Sequence, residues 1–144
     1  MAARVLVVDD EQAIRMLCRI NLELSGFGVL EAEDGRGALD MARGEQPDLI
    51  LRDLMMPAPD GWEVAEELLE DDKTRSIPII FITARNTLRD MARAFGIGAI
   101  DYLVKPFDPV ALPSRIENTL ARIARGEREQ IRNERIDELR TQLA

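Results

Sequence analysis

Acidic, hydroxyl and basic residues follow four apolar segments of the chain. Asp9 and Asp10 come directly after the first of these segments, and Asp53 follows a second. Thr83 directly follows a third segment, and Lys105 directly follows a fourth. Considered singly, each is a common turn, cap or solvated residue. Considered together, they would give one site three carboxylates, a hydroxyl and an ammonium group.

This set of groups has a coherent chemistry. Carboxylates held close together repel one another unless a cation neutralises them. Mg²⁺ prefers oxygen ligands and uses one or two carboxylates together with waters and phosphate oxygens. A carboxylate can also attack phosphorus and form an acyl phosphate. The Thr83 hydroxyl and the Lys105 ammonium could each meet an oxygen of the transferring phosphoryl group, since such transfers depend on positioning and electrostatics.

Alternating strands and helices would position these groups. Apolar, β-branched runs at 4–8, 28–31, 48–51, 78–82 and 99–104 predict strands, with helical periodicity at 12–24, 35–44, 61–71 and 87–95. A fifth helix starts near 109 if Asp108 caps it, or near Leu112 if Pro113 lies in its first turn. Five strand-helix units predict an α/β fold with a parallel sheet between two helical layers. Ligands bind such sheets at the carboxyl ends of the strands, where all five groups would lie.

Composition limits the classes of function. The chain has 144 residues and a net charge of -8, which argues against direct binding to nucleic acid or to an anionic membrane surface. No apolar run is long enough to span a bilayer, and no secretory signal precedes the first strand. Cys18, the single cysteine, is interpreted as a small hydrophobic residue of a helix. We therefore expect a cytoplasmic protein.

The last segment differs from the rest. Residues 126–144 are rich in both Arg and Asp/Glu at helical spacing, with few apolar residues among them. Ile136, Leu139 and Leu143 keep a helical step, but no heptad pattern persists long enough to predict a coiled coil. Two interpretations stay open: a solvated helical tail, or a helix that extends a dimer contact.

Four motifs resemble the receiver domain of bacterial two-component response regulators, in particular the chemotaxis receivers. They are Leu6-Val-Val-Asp-Asp-Glu11, Asp53-Leu-Met-Met-Pro-Ala-Pro-Asp-Gly61, Ile82-Thr-Ala84 and Asp101-Tyr-Leu-Val-Lys-Pro-Phe107. Their order and spacing match from residue 4 to about residue 125. The resemblance implies a flavodoxin-like (βα)5 fold, doubly wound, with a parallel sheet of order 2-1-3-4-5. We assign 1–125 to the receiver domain and 126–144 to a helical C-terminal extension.

The resemblance also implies a role for each matching position. Asp53 would be the phosphoacceptor, receiving the phosphoryl group from a histidine kinase or a phosphotransfer protein. Mg²⁺, or Mn²⁺ as an alternative, would be ligated by Asp10, Asp53 and the backbone carbonyl of Met55, with Asp9 acting through a water. The residues that would contact the phosphoryl group or switch position are Thr83, Ala84, Lys105 and Tyr102. The resemblance also implies a cis peptide bond between Lys105 and Pro106. Such a protein is not an enzyme but a phosphoacceptor that assists its own phosphorylation and dephosphorylation.

The resemblance further implies that phosphorylation remodels the surface made by helix 4, strand 5 and helix 5. We expect no output domain within the residues after 125. The output would then be a partner protein, a homodimer formed through that surface and the C-terminal helix, or a domain outside these residues.

Two other functions would account for parts of this sequence. A receiver-like interaction module that is never phosphorylated is favoured only by Arg52, a charge where a sheet interior is expected. A Mg²⁺-dependent phosphohydrolase that uses an aspartyl phosphate would explain the same chemistry. However, the Asp-x-Asp-x-Thr/Val pattern of haloacid-dehalogenase-like enzymes fails, because Asp9 is followed by Asp10, Glu11, Gln12 and Ala13.

Overall fold

A five-stranded parallel sheet forms the centre of the computed structural model, which describes residues 2–54 and 62–143. The strands are β1 (Arg4–Val8), β2 (Gly28–Ala32), β3 (Leu49–Arg52), β4 (Ile79–Thr83) and β5 (Asp101–Val104). Their order across the sheet is β2-β1-β3-β4-β5, and every neighbouring pair is parallel. The predicted α/β class and strand order are confirmed.

Six helices accompany the sheet within the described residues. They are α1 (Gln12–Leu24), α2 (Gly35–Glu45), α3 (Trp62–Glu70), α4 (Leu88–Ile97), α5 (Leu112–Ala124) and α6 (Arg128–Leu143). Asp34 caps α2, since its side chain accepts a hydrogen bond of 2.8 Å from the Gly37 amide. None of these six helices is long and apolar enough to cross a bilayer.

Of the two expected starts for α5, near Asp108 or near Leu112, the one near Asp108 is wrong. Asp108 is not its N-cap; the Asp108 carboxylate accepts a hydrogen bond of 3.0 Å from the Val110 amide in a turn before the helix. The helix begins at Leu112, so Pro113 falls in its first turn. Proline is tolerated there because the first amides of a helix have no intrahelical acceptor.

Alternate strand residues face two separate hydrophobic clusters. In β1, Leu6 and Val8 pack with residues of α2, α3 and α4, whereas Val5 and Val7 pack with residues of α1 and α5. Successive side chains of a strand point to opposite faces, so both faces of the sheet are covered. This burial holds the strand ends in fixed positions, and the polar residues that follow the strands are held with them.

The C-terminal helix α6 folds back onto the domain and contacts α4 and α5. Leu139 is 5% exposed and belongs to the cluster beneath α4, while Ile131 is 9% exposed and belongs to the cluster on the opposite face. The interpretation of this segment as a solvated tail is therefore wrong. Gly126 lies between α5 and α6 with a φ of 80°, a left-handed conformation that favours glycine.

Candidate functional site

Backbone hydrogen bonds continue the sheet one residue beyond the ends of three strands. The Asp9 amide donates to the last carbonyl of β2 at 3.2 Å, and the Asp53 amide donates to the last carbonyl of β1 at 3.1 Å. The Lys105 amide donates to the Thr83 carbonyl at 2.8 Å. The backbones of these residues are therefore held in place by the sheet, and their side chains lie at its carboxyl edge.

The Lys105 ammonium group joins three of the acidic side chains. Its Nζ lies 2.8 Å from Oδ2 of Asp53, 2.9 Å from Oδ2 of Asp9 and 3.4 Å from Oε1 of Glu11. Strands lie about 4.8 Å apart in a sheet, so the Lys105 side chain has to cross the end of β4 to reach β3 and β1. Its long stem makes this reach possible.

Four carboxylates lie close enough to share one cation. One oxygen from each of Asp9, Asp10, Glu11 and Asp53 can be chosen so that all lie within 4.8 Å of one another. Asp9 and Asp53 are buried, whereas Asp10 and Glu11 are exposed. An all-oxygen, mostly anionic donor set that is open on one side suits a hard divalent cation that keeps some of its waters. The residues present therefore fit Mg²⁺.

Burial and hydrogen bonding act in opposite directions on the pKa values of Asp9 and Lys105. Burial raises the pKa of Asp9 above its ordinary value, although the Glu11 amide and Lys105 both donate hydrogen bonds to its carboxylate. Burial acts to lower the pKa of Lys105, but its hydrogen bonds to Asp53 and Asp9 outweigh this effect and raise the pKa above its usual range. Lys105 is therefore a permanent positive charge at the site.

A second chain of hydrogen bonds connects β4 to β5 beside the cluster. The buried Thr83 hydroxyl accepts a hydrogen bond of 3.3 Å from the Arg85 amide. The Tyr102 hydroxyl donates to the Arg85 carbonyl at 2.7 Å. Tyr102 is itself fully buried, and this burial raises the pKa of its phenol. The segment between β4 and α4 is thus fastened to both neighbouring strands.

The structure brings together Asp9, Asp10, Asp53 and Lys105, as expected from the ends of three strands. Tyr102 donates the hydrogen of its hydroxyl to the Arg85 carbonyl. The Lys105–Pro106 peptide bond is cis. Met55, whose carbonyl was expected to ligate the metal, lies outside the described residues.

Two residues with ionic contacts, Glu11 in the site and Asp101 at the start of β5, were not assigned from the sequence. Glu11 joins the carboxylate cluster and contacts Lys105; its position next to Asp10 was the available signal. Asp101 is 4% exposed and pairs with Arg115 at 2.6 Å and with Arg135 at 2.7 Å. No local pattern joins residues that lie so far apart in the chain.

Arg52, which precedes Asp53 in the chain, has a fully buried side chain. Its position at the end of β3 places it beside Val8 of β1 and Phe81 of β4. The Arg52 side chain therefore lies in the interior of the sheet and does not reach solvent.

The chain belongs to the family of response regulator receiver domains, whose model matches residues 5–117. This match covers both the acidic cluster and the Lys105 position. It also agrees with the observed fold and with the resemblance that the four motifs carry.

Two relatives illustrate the similarity in sequence. The chain is 42% identical over 122 residues to the DNA-binding dual master transcriptional regulator RpaA of Synechocystis, covering 85% of this chain and 51% of that protein. It is 41% identical over 124 residues to the phosphate regulon transcriptional regulatory protein PhoB of Escherichia coli, covering 86% of this chain and 54% of PhoB. The chain thus spans about half the length of these curated relatives. Because RpaA is described as DNA-binding, the expectation that these 144 residues do not bind nucleic acid stays a prediction.

Solved structures show the same architecture. The chemotaxis response regulator CheY4 of Vibrio cholerae superposes with a TM-score of 0.75 at 31% identity, covering 82% of this chain and 98% of that one. A CheY-like receiver domain from Methanospirillum hungatei gives a TM-score of 0.78 at 27% identity, covering 90% of this chain and 98% of that one. The chain therefore has a CheY-like fold with an added C-terminal helix.

Proposed function

We propose that this receiver domain is a phosphorylation switch in which Asp53 accepts a phosphoryl group from a histidine kinase or a phosphotransfer protein. The observation that carries the proposal is the placement of the Asp53 carboxylate. It lies 2.8 Å from the Lys105 ammonium and within a cluster of four carboxylates at the carboxyl edge of the sheet. Family membership supports the same function.

The transfer would form one bond and break another. A carboxylate oxygen of Asp53 attacks phosphorus, and the bond from phosphorus to the donor nitrogen or oxygen breaks, with its electron pair leaving on the donor. Lys105 would stay protonated and neutralise charge on the phosphoryl oxygens. The Thr83 hydroxyl, at the end of the adjacent strand β4, would donate a hydrogen bond to one of those oxygens.

The acidic residues would hold the cation that the transfer needs. Asp10 and Asp53 would ligate Mg²⁺ directly, with Mn²⁺ as a substitute. Asp9 would act through a water, because its two oxygens already accept hydrogen bonds from the Glu11 amide and from Lys105. When bound, the ion would offset the negative charge of the carboxylates and of the incoming phosphate.

The test is the intact mass of the protein after incubation with acetyl phosphate and Mg²⁺. We expect a gain of one phosphoryl group in the natural chain, no gain in Asp53→Asn, and a strong reduction when EDTA removes the cation. Asp40→Asn is the matched control, because Asp40 is an exposed aspartate on α2. Equal gains in Asp53→Asn and in the natural chain would contradict the proposal, as would the absence of any gain.

A further inference from the structure

Helix α6 lies over the surface formed by α4, β5 and α5, which we call the output surface. β5 is the edge strand of the sheet, so its outer backbone groups have no neighbouring strand. Unpaired edges are commonly covered by another element. In this chain the cover is α6, which contacts α4 and α5 and places apolar residues on both sides of the sheet.

Two arginines of α6 fasten the helix to β5 and to the end of α4. Arg135 pairs with the Asp101 carboxylate at 2.7 Å and donates to the Tyr102 carbonyl at 3.1 Å. Arg132 donates to the Ala99 carbonyl at 3.1 Å and to the Phe95 carbonyl. These arginines therefore satisfy polar backbone groups that would otherwise face solvent at the sheet edge.

A groove lies along the contact between α6 and α4. Its volume is about 290 Å³, and it is lined by Met91 and Phe95 of α4 and by Ile136 and Leu139 of α6. Leu139 is buried in the cluster beneath α4, so apolar packing and the arginine contacts together hold the helix in place.

Release of α6 would not leave a buried charge without a partner. Asp101 is paired with Arg115 of α5 at 2.6 Å as well as with Arg135. Removing one partner of a buried ion pair is strongly unfavourable when no other partner remains. Here Arg115 can keep the carboxylate paired.

The contacts of α6 lie on the elements that connect to the phosphoacceptor site. Tyr102, whose carbonyl binds Arg135, reaches the Arg85 carbonyl through its hydroxyl. The Arg85 amide in turn donates to the Thr83 hydroxyl. If Thr83 turns towards a phosphoryl group on Asp53, it withdraws from Arg85 and loosens the segment that joins β4 to α4.

We propose that α6 is an intramolecular cover of the output surface, latched by Arg135 on Asp101 and displaced when Asp53 is phosphorylated. The displacement rests on the proposed function, whereas the latch does not. A partner protein or a second copy of the chain would then gain access to the output surface only in the phosphorylated state. This mechanism explains how one segment can both stabilise the inactive domain and prevent early association.

Hydrogen exchange measured by mass spectrometry on the full chain tests the latch. We expect Arg135→Ala to accelerate exchange of the amides in 128–143 by about tenfold or more, since a charged hydrogen bond is lost. Arg140→Ala is the matched control, because Arg140 lies on the same helix and makes no ion pair or hydrogen bond with the described residues. Unchanged protection of the amides in 4–8 shows that the sheet stays folded. Equal exchange of α6 in both variants and the natural chain would overturn the latch.

The same measurement in the presence of acetyl phosphate and Mg²⁺ tests the displacement. We expect faster exchange of α6 in the natural chain and no such change in Asp53→Asn. Intact mass is recorded on the same samples. A phosphoryl mass gain with unchanged α6 exchange would overturn the displacement alone. No mass gain at all would contradict the proposed function and the displacement with it, while the comparison of Arg135→Ala with Arg140→Ala would still decide the latch.

Discussion

At the scale of single residues, Lys105 determines the charge balance of the site. Its ammonium lies within hydrogen-bond distance of two carboxylates whose side chains are only 3% and 4% exposed. Buried carboxylates without a cation repel one another and are poorly solvated. In the absence of a divalent ion, the Lys105 ammonium therefore offsets negative charge on both the Asp9 and the Asp53 side chains.

This role predicts the effect of replacing Lys105 by an uncharged side chain of similar length. We expect Lys105→Met to lower the free energy of unfolding by about 3 kcal/mol in the presence of EDTA, because a buried ion pair loses one partner. Mg²⁺ should restore more stability to this variant than to the natural chain. Thermal unfolding with and without Mg²⁺ measures both effects. Lys73→Met is the control, since Lys73 is exposed. Equal responses of the two variants to Mg²⁺ would contradict the role.

Cys18 illustrates a residue whose chemistry is suppressed by burial. It is fully buried in the cluster beneath α1 and α5, and burial raises the pKa of its thiol to about 12. Since the thiolate is the reactive form, we expect iodoacetamide to modify native protein at mildly alkaline pH far more slowly than unfolded protein. Intact mass over time measures this difference. Rapid alkylation of the native chain would contradict the burial of the Cys18 thiol.

At the scale of elements, the start of α4 follows directly on the segment after Thr83, and α4 itself forms part of the output surface. Thr87 caps this helix, accepting a hydrogen bond of 3.1 Å from the Asp90 amide and donating one of 2.8 Å to the Asp90 carboxylate. Arg85 pairs with the same carboxylate at 3.2 Å. The position of α4 therefore depends on a polar segment that directly follows Thr83.

Loss of this cap should weaken the helix without removing a site residue. We expect Thr87→Ala to lower the free energy of unfolding by about 1 kcal/mol, as is typical of an N-cap threonine. Thr87→Ser should retain most of the stability because a serine hydroxyl can make the same bonds. Urea unfolding followed by circular dichroism compares the three proteins. Identical stabilities for Thr87→Ala and the natural chain would contradict the assigned cap.

The sequence was sufficient to predict the elements that build the site. Strands and helices up to α4 were predicted to within a few residues, because apolar periodicity and turn residues encode them locally. The start of α5 required a choice between Asp108 and Pro113, and the structure favours Pro113. The sequence also predicted that the side chains of Asp9, Asp10 and Asp53 lie close together, because the carboxyl ends of parallel strands meet at one edge of the sheet.

The position of α6 could not be predicted in the same way. Its arginines bind Asp101 and backbone carbonyls that lie more than thirty residues earlier in the chain. Arginines and acidic residues at helical spacing are typical of a solvated surface, and the few apolar residues that pack against the domain, Ile131, Ile136 and Leu139, form a weak pattern among them. Tertiary contacts of this kind have no local periodicity.

At the scale of the whole molecule, the site and the cover are two parts of one equilibrium. If phosphorylation favours the open position of α6, a change that opens α6 must favour binding at the site by the same factor. We therefore expect Arg135→Ala to bind the phosphoryl mimic beryllofluoride, with Mg²⁺ present, more tightly than the natural chain.

Equilibrium titration of the mimic gives the two affinities, and Arg140→Ala should match the natural chain. Equal affinities for Arg135→Ala and the natural chain would show that the cover and the site are not coupled. The latch itself would be unaffected by that result, because hydrogen exchange tests it separately.

The central claim is that the ends of separate strands place their carboxylates around one divalent cation. Calorimetric titration with Mg²⁺ tests it most directly, comparing the natural chain with Asp10→Asn and with the exposed control Asp40→Asn. We predict one binding site in the natural chain and in Asp40→Asn, and an affinity weaker by about tenfold or more in Asp10→Asn, since the affinity of such sites follows the number of charged ligands. Equal affinities for Asp10→Asn and Asp40→Asn, or no binding by the natural chain, would contradict the claim.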